Sequence, residues 1–323
     1  MIIKLANENC LGDKEMRQVY AESVIGLIEK DKRVVVTDAD LMRAIGVLPY
    51  KNKYPDNIFD CGIAESNMIG VACGLSKEGF IPFTHTFGTF ASRRVMDQVF
   101  MSGAYAKQNV KMLGSDPGVC AALNGGTHMA LEDVAMMRSI PEITIVEPTD
   151  NVMLENLVPK IAYTYGMFYI RMCRVKAENI YAEGSDFEIG KAAKLREGKD
   201  VTIVAAGREV IEAVNAARLL EKEGIEATVL DMFTIKPLDV EALEAAARQT
   251  GAVVTAENHN VIGGLGGAVA ETLGEVYPVP LERVGTRDIF GEVGSDNILK
   301  QRFGITAEDI ADAAKRAIAR KNK

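Results

Sequence analysis

The stretch FDCGIAESNMIGVACGL, residues 59–75, decides the fold because it joins a strand end, a tight turn and a helix in one short segment. The strand ends near Phe59, Gly62 makes the turn, and apolar residues over 64–75 recur at helical spacing. Glu65 lies in the first turn of this largely apolar helix. We therefore expect a buried carboxyl group where the strand gives way to the helix.

Two interpretations of the buried Glu65 are open. In the first, the carboxylate complements the positive end of the helix dipole, an interaction worth a few tenths to about 1 kcal/mol. In the second, burial holds the carboxyl group neutral, so that it can give a proton to a bound ligand. Because helix-capping carboxylates far outnumber catalytic acids, this stretch alone favours the first interpretation.

Length, charge and cysteine content narrow the class of protein. The 323 residues are enough for two domains, and the net charge of −8 argues against a nucleic-acid or anionic-membrane surface. The five cysteines lie far apart without a C-x-x-C pair, which disfavours a zinc site and a disulfide framework. The N-terminus shows no signal-peptide pattern, and no run approaches the roughly 20 apolar residues of a membrane span. We therefore expect a soluble, cytoplasmic protein with small-molecule or protein partners.

Strands alternate with amphipathic helices along the whole chain, as in parallel sheets built from βαβ units. The first series closes near Arg174, and the polar segment over 175–190 lacks helical periodicity, so we interpret it as a linker. The second series opens with the strand VTIVAAG, residues 201–207. The sequence thus predicts an α/β protein of two consecutive three-layer domains, 1–185 and 186–323, each built on a mainly parallel sheet.

The three histidines, His85, His128 and His259, all fall near the ends of predicted strands, where open α/β sheets bind their ligands. His128 lies in the loop ALNGGTHMALED, residues 122–133, whose glycines let a ligand approach closely and whose polar side chains offer donors. We favour a functional role for His128. The loop after His259 has the spacing GGLGG, which fails the G-x-G-x-x-G pattern of dinucleotide sites.

Aromatic and basic residues supply further candidates. Phe87 and Phe90 lie close to His85 and three residues apart. This spacing suits two rings that pack against a flat heteroaromatic ligand, and it suits two core residues equally well. Arg171 and Arg174 end the last strand of the first domain. Either arginine is a candidate for binding an anionic substrate group, the alternative being a surface ion pair.

Five motifs run in order along almost the whole chain: GIAESNMIGVACGL, FIPFTHTFGTF, NGGTHMALEDVAMMRSIP, TIVEPTD and ENHNVIGGLGGAVAE. Together they resemble the C-terminal portion of transketolases and of the related 1-deoxyxylulose-5-phosphate synthases, which depend on thiamine diphosphate. The resemblance implies a pyrimidine-binding domain followed by a transketolase C-terminal domain.

This resemblance implies roles for single residues around the cofactor. Glu65 matches the catalytic glutamate that binds a ring nitrogen of the cofactor's aminopyrimidine, and Asp40, Phe87 and Phe90 match cofactor-contacting residues. His128 matches the catalytic histidine that binds substrate oxygens and stabilises charge during carbon–carbon cleavage. The implied reaction moves a two-carbon ketol unit from a ketose to an aldose.

At the substrate end the resemblance is less complete. Arg174 matches an arginine that grips a distal phosphate, and Arg17 matches another more weakly. His85 falls beside the pyrimidine pocket and is a candidate for contact with the substrate, with its exact role open. Transketolases usually carry Asp where this chain has Asn124, which cannot serve as a charged acceptor. They often place a phosphate-binding histidine at Asp116, whose charge would repel a phosphate, whereas the synthases can carry Asp there. The donor or acceptor can therefore differ from the standard pentose phosphates, as a modified or non-phosphorylated ketose or one with another anionic tail.

A motif that is missing points to a partner. The superfamily binds the diphosphate and its metal through a GDG motif, which this sequence lacks. The resemblance implies that an N-terminal transketolase subunit carrying GDG supplies the site for the diphosphate and for Mg²⁺ or Ca²⁺. We expect a heterotetramer of two chains of each kind. The alternatives are a 1-deoxyxylulose-5-phosphate synthase half, a 2-oxo-acid dehydrogenase β subunit, and a scaffold subunit without chemistry.

Overall fold

Two sheets flanked by helices form the fold, which a computed structural model describes over residues 1–7 and 9–321. The strands are β1 (Val34–Asp38), β2 (Ile58–Asp60), β3 (Ile81–Phe87), β4 (Lys111–Ser115), β5 (Thr144–Val146), β6 (Phe168–Met172), β7 (Ala193–Arg196), β8 (Val201–Ala205), β9 (Ala227–Asp231), β10 (Thr234–Lys236), β11 (Val253–Asn260) and β12 (Leu281–Thr286). The helices are α1 (Met16–Lys30), α2 (Met42–Ile45), α3 (Glu65–Lys77), α4 (Gly88–Ser92), α5 (Asp133–Arg138), α6 (Asn151–Tyr163), α7 (Glu209–Lys222), α8 (Val240–Thr250), α9 (Leu265–Val276), α10 (Asp296–Phe303) and α11 (Ala307–Ala319).

Both sheets are mainly parallel, which confirms the predicted fold class. The first has the order β10-β5-β6-β4-β3-β1-β2 and the second the order β12-β11-β8-β9-β7. Strands such as β1 and β8 are buried along their whole length, as expected for parallel sheets covered on both faces. Among the described residues, no helix is both long and apolar enough to cross a membrane.

Two edge strands were not expected from the sequence. β7 pairs antiparallel with β9 at the edge of the second sheet, and β10 pairs antiparallel with β5 in the first. β10 lies beyond the domain boundary predicted near residue 185, yet it completes the first sheet. The boundary near residue 185 stays a prediction, and the second half of the chain contributes the edge strand of the first sheet.

The segment over 175–190, interpreted as a linker, is fastened to both halves of the protein. Leu5, near the N-terminus, forms a β-bridge with Tyr181. The Asp150 carboxylate, at the start of α6, accepts a hydrogen bond from the Tyr181 main-chain N–H at 2.8 Å. The Tyr181 hydroxyl donates to Asp231 at the end of β9 at 2.7 Å. The segment is therefore held to both halves by specific hydrogen bonds, with Ile180, Tyr181, Ser185 and Phe187 buried, and is not a free linker.

A buried arginine joins the two halves. Arg171 on β6 is fully buried, and it donates to Asp133 and to Glu147 at 2.8 Å each and to the main-chain oxygen of Asn258 at 2.7 Å. Burial opposes its charge, but the two carboxylates more than compensate and raise the pKa of Arg171 above its usual value. Arg171 is thus an interdomain contact, which corrects the expectation that it could bind substrate.

We predict that Arg171→Met lowers the free energy of unfolding by about 3–5 kcal/mol, because it leaves two buried carboxylates without their counter-charge. Urea denaturation followed by circular dichroism measures this loss. As the matched control, Arg33→Met removes an arginine from an exposed pair with Asp31 and should leave the urea midpoint unchanged. Equal midpoints for the two variants would contradict the role given to Arg171.

Candidate active site

The carboxyl ends of the central parallel strands gather most of the predicted site residues at one edge of the first sheet. Asp40 follows β1, Phe87 ends β3, Asp116 follows β4 and Arg174 follows β6. Glu65 opens α3 just beyond the end of β2. The carboxyl edge is the usual ligand site of an open parallel sheet, and the surface formed there by Asp40, Glu65, Phe87, Phe90 and His128 is called the crevice.

Two phenylalanines and a histidine pack together in this crevice. The ring centroid of His128 lies 5.8 Å from that of Phe87 and 5.3 Å from that of Phe90, with the rings close to perpendicular. The Thr127 hydroxyl lies 3.0 Å from Nδ1 of His128. Because His128 is only half-buried, its imidazole is positioned by the aromatic rings and still open to a ligand. Asn124 is exposed in the same loop.

The second domain holds the loop that carries these residues. The Asn258 side chain on β11 accepts from the Val119 N–H at 2.9 Å and donates to the Pro117 oxygen at 3.1 Å. Gly118 has φ of +55°, and a Cβ there would lie 2.1 Å from the Asn258 side-chain oxygen. Only glycine suits both the backbone conformation and this close approach. His128 and Asn124 are therefore placed by an interdomain contact.

Glu65 is buried at the first residue of α3 and is paired with an arginine. Arg94 donates through Nη1 to Oε1 of Glu65 at 2.7 Å. The guanidinium carbon of Arg94 also lies 3.8 Å from the ring centroid of Phe90, a cation–π contact. The Ser66 hydroxyl donates to the Arg94 main-chain oxygen at 2.6 Å and fixes this turn against α3. The sequence motifs did not indicate a role for Arg94, which follows Phe90 by four residues in the chain.

The contacts of Arg94 show which kind of ligand the pocket suits. A guanidinium is flat and donates hydrogen bonds, and here it stacks on Phe90 while donating to Glu65. An aminopyrimidine is also flat and carries ring and amino nitrogens that can share a proton with a carboxyl group. The residues present therefore fit the aminopyrimidine half of the cofactor. Over the described residues, no group of three or more His, Cys, Asp or Glu side chains is arranged to hold a metal ion.

His85 lies beneath the crevice. Its side chain is fully buried, with Nδ1 2.6 Å from Oδ2 of Asp38 and Nε2 3.0 Å from the Ser115 hydroxyl. Asp38 in turn accepts from the Leu41 N–H and so shapes the turn that exposes Asp40. The structure thus places His85 where it supports the ends of three strands, with no open face for the substrate contact expected from the sequence.

The two arginines at the substrate end lie side by side. Arg17 and Arg174 each donate through Nη1 to the main-chain oxygen of Ala44, both at 3.3 Å. The guanidinium of Arg174 also lies 4.9 Å from the ring centroid of Phe87. Asp116, expected to repel a phosphate, is ion-paired with Arg174.

Two other sequence expectations are corrected by the structure. His259 is fully buried, and burial lowers its pKa to about 4, so it is a neutral residue of the interdomain core. Cys120 is bonded to Cys173, a disulfide that the wide cysteine spacing did not suggest. The bond joins the loop before Asn124 to the residue before Arg174.

Comparisons with known proteins agree with the motifs. Residues 13–178 match the family described as "Transketolase, pyrimidine binding domain", and residues 190–310 match "Transketolase, C-terminal domain". The chain is 53% identical to the 6-deoxy-6-sulfo-D-fructose transketolase subunit SqwH of Clostridium sp. (strain MSTE9), over 95% of each chain. It is 35% identical to Homo sapiens transketolase, covering 96% of this chain but only 50% of that protein. A solved structure described as "Split gene transketolase, inactive beta4 tetramer" superposes with a TM-score of 0.89 at 42% identity, covering 95% of this chain and 99% of the other.

We predict that His85→Ala lowers the free energy of unfolding by about 3 kcal/mol, because it leaves the buried Asp38 carboxylate and Ser115 hydroxyl without a partner and opens a cavity. Chemical denaturation measures the loss. His128→Ala removes the same side chain from a half-buried position and should cost less than about 1 kcal/mol. If His128→Ala destabilised the protein as much as His85→Ala, the contrast drawn between the two positions would be wrong.

Proposed function

The chain belongs to the transketolase family, and we propose that it is one subunit of a split transketolase, active only with a diphosphate-binding partner. The reaction breaks the bond between C2 and C3 of a ketose and joins the released two-carbon ketol unit to the aldehyde carbon of an aldose. The observation that carries the proposal is the way Glu65 and Phe90 bind the guanidinium of Arg94. This flat group donates a hydrogen bond to Glu65 and lies over the ring of Phe90, which contacts His128. The proposed place of action is the cytoplasm.

The partner is proposed because this chain offers half of a cofactor site. Its residues fit the aminopyrimidine, whereas the described part of the chain has no carboxylate cluster for the metal that accompanies a diphosphate. A GDG-bearing N-terminal subunit would bind the diphosphate and Mg²⁺ or Ca²⁺, with the active site between chains in a heterotetramer of two chains of each kind. The similar β4 tetramer of a split-gene transketolase is described as inactive, which supports dependence on such a partner.

Each residue of the crevice has a proposed task. Thiamine diphosphate, when bound, supplies the nucleophilic carbon and takes up the electron pair of the broken bond. Glu65 would share a proton with the aminopyrimidine ring, and Phe87 and Phe90 would pack against that ring. Asp40 would contact the cofactor from the turn that follows β1. His128 donates to the ketose oxygen on which negative charge develops.

Binding of the cofactor requires one rearrangement in this chain. Arg94 stacks on Phe90 and pairs with Glu65, so it uses the groups assigned to the aminopyrimidine. About half of the Arg94 side chain is exposed, so it can turn towards solvent or towards the partner subunit without unfolding its turn. Release of Arg94 frees Glu65 for the ring nitrogen.

The proposed donor sugar carries an anionic tail. Asn124 and His128 would meet the hydroxyl and carbonyl groups, and Arg17 with Arg174 would bind the tail. Because the relative of 53% identity is named for 6-deoxy-6-sulfo-D-fructose, that sulfonated ketose is our leading candidate. A standard pentose or hexose phosphate is the second.

Three alternatives make different predictions about activity. A 1-deoxyxylulose-5-phosphate synthase half or a 2-oxo-acid dehydrogenase β subunit would decarboxylate a 2-oxo acid such as pyruvate, and a scaffold subunit would do neither reaction. The purified chain, mixed with the GDG-bearing subunit, thiamine diphosphate and Mg²⁺, should cleave ketoses in the presence of an aldose and leave pyruvate intact. Pyruvate turnover without ketose cleavage would overturn the proposal.

We predict that Glu65→Gln lowers ketol transfer by the assembled complex at least about 100-fold, because an amide cannot share its proton with the aminopyrimidine as a carboxyl group does. Steady-state kinetics with a coupled aldose assay gives the ratio. Glu78→Gln, at the exposed end of the same helix, is the charge-matched control and should retain full activity. A fully active Glu65→Gln complex would remove Glu65 from catalysis.

A further inference from the structure

The tail-binding end of the crevice is defined by two converging guanidinium groups. Arg17, from α1, and Arg174, from the end of β6, both donate to the Ala44 oxygen at 3.3 Å, so their charged ends lie close together. Their side chains are 36% and 20% exposed, so neither arginine is fully closed off from a ligand. Phe87 connects this end to the centre of the site, because its ring contacts both Arg174 and His128.

Each of these arginines already has a carboxylate partner of its own. Asp116 accepts from the Arg174 main-chain N–H at 2.9 Å and from Nε at 2.6 Å, and it also pairs with Nη2. Glu15 accepts from Nε of Arg17 at 2.6 Å. Two positive and two negative groups therefore meet at the tail-binding end, and their formal charges cancel.

Asp116 is built rigidly into this arrangement. Its side chain is buried, and its main-chain N–H donates to the Met172 oxygen at 2.9 Å, which ties it to the end of β6. Its φ of +50° lies in the left-handed region, which Asp and Asn tolerate better than most residues. The carboxylate cannot easily turn away when an anion binds to Arg174.

A charge-balanced pair of arginines discriminates between anions by their charge. A phosphate monoester carries about −1.5 to −2 charges at pH 7, whereas a sulfonate carries one at any ordinary pH. Each additional negative charge on the tail is attracted by Arg17 and Arg174 but repelled by Asp116 and Glu15, so the balanced cluster offers it no net gain against its greater cost of desolvation. Removing the charge of one nearby carboxylate in a partly buried site changes that balance by about tenfold or more. The paired N–H donors of each arginine can bind the oxygens of a sulfonate or of a phosphate, so these hydrogen bonds do not distinguish the two tails.

Resting on the proposed ketol transfer, we propose that Asp116 is a specificity-determining residue, which selects ketoses with a singly charged, sulfonate-type tail and rejects phosphate. Glu15 acts in the same direction but more weakly, because its side chain is about one-third exposed and better screened by solvent.

The test compares two sugars with wild-type and Asp116→Asn complexes. Asn suits the left-handed backbone and keeps an acceptor for the Arg174 N–H, so the variant removes charge with little change of shape. The ratio of kcat/KM for 6-deoxy-6-sulfo-D-fructose to that for fructose 6-phosphate should fall about tenfold in the variant. The change should appear in KM with kcat nearly constant, as expected for contacts remote from the reacting bond.

Two further variants complete the design. Glu22→Gln changes the net charge equally on an exposed part of α1, where Glu22 pairs with Lys14, and should leave the ratio unchanged. Glu15→Gln should lower the ratio about threefold. If Asp116→Asn fails to fold, this variant still tests whether the carboxylates beside the two arginines set the preference for a singly charged tail. An unchanged ratio in a folded Asp116→Asn complex, or a wild-type complex that prefers the phosphate, would overturn the role of Asp116 while ketol transfer stands. A wild-type complex that cleaves neither sugar would overturn the proposed function itself.

Discussion

The guanidinium of Arg171 is the group on which the arrangement of the crevice depends. It lies out of water between Asp133 and Glu147, and it also donates to main-chain oxygens of both halves of the chain, those of Ala130 and Asn258. Burying such a charge costs several kcal/mol unless every donor is satisfied, so the surrounding backbone has little freedom to move. The Ala130 oxygen also accepts from the Gly118 N–H, so both ends of the loop that bears His128 are fixed.

Charge pairing is the common feature of the rest of the crevice. Glu65 is ion-paired with Arg94 and Asp116 with Arg174, and the Asp38 carboxylate is hydrogen-bonded to the His85 ring. In the chain by itself these groups satisfy one another, which avoids the cost of leaving ions unpaired in a partly buried cleft. A ligand must therefore exchange partners with the protein. A cofactor replaces Arg94 on Glu65, and an anionic tail shares Arg174 with Asp116. Affinity then reflects the difference between two sets of contacts.

Local patterns in the sequence predicted the sheets, the strand–turn–helix segment around Glu65 and the motifs that resemble transketolases. Helical spacing and β-branched runs are properties of neighbouring residues, so they can be read directly. Contacts between distant segments could not be read in this way. The contacts of buried Arg171, the pairing of Glu65 with Arg94 and the addition of β10 to the edge of the first sheet all join residues far apart in the chain. The Cys120–Cys173 bond was missed for the same reason.

The central claim is that this chain holds half of a thiamine-diphosphate site. Isothermal titration calorimetry with thiamine diphosphate and Mg²⁺, first on the chain alone and then on the chain mixed with the GDG-bearing subunit, tests it most directly. We expect tight, saturable binding in the mixture and none that is measurable for this chain alone, because it offers only the site for the aminopyrimidine end of the cofactor. Tight binding by this chain alone would contradict the claim, since it would require a diphosphate and metal site among its own residues.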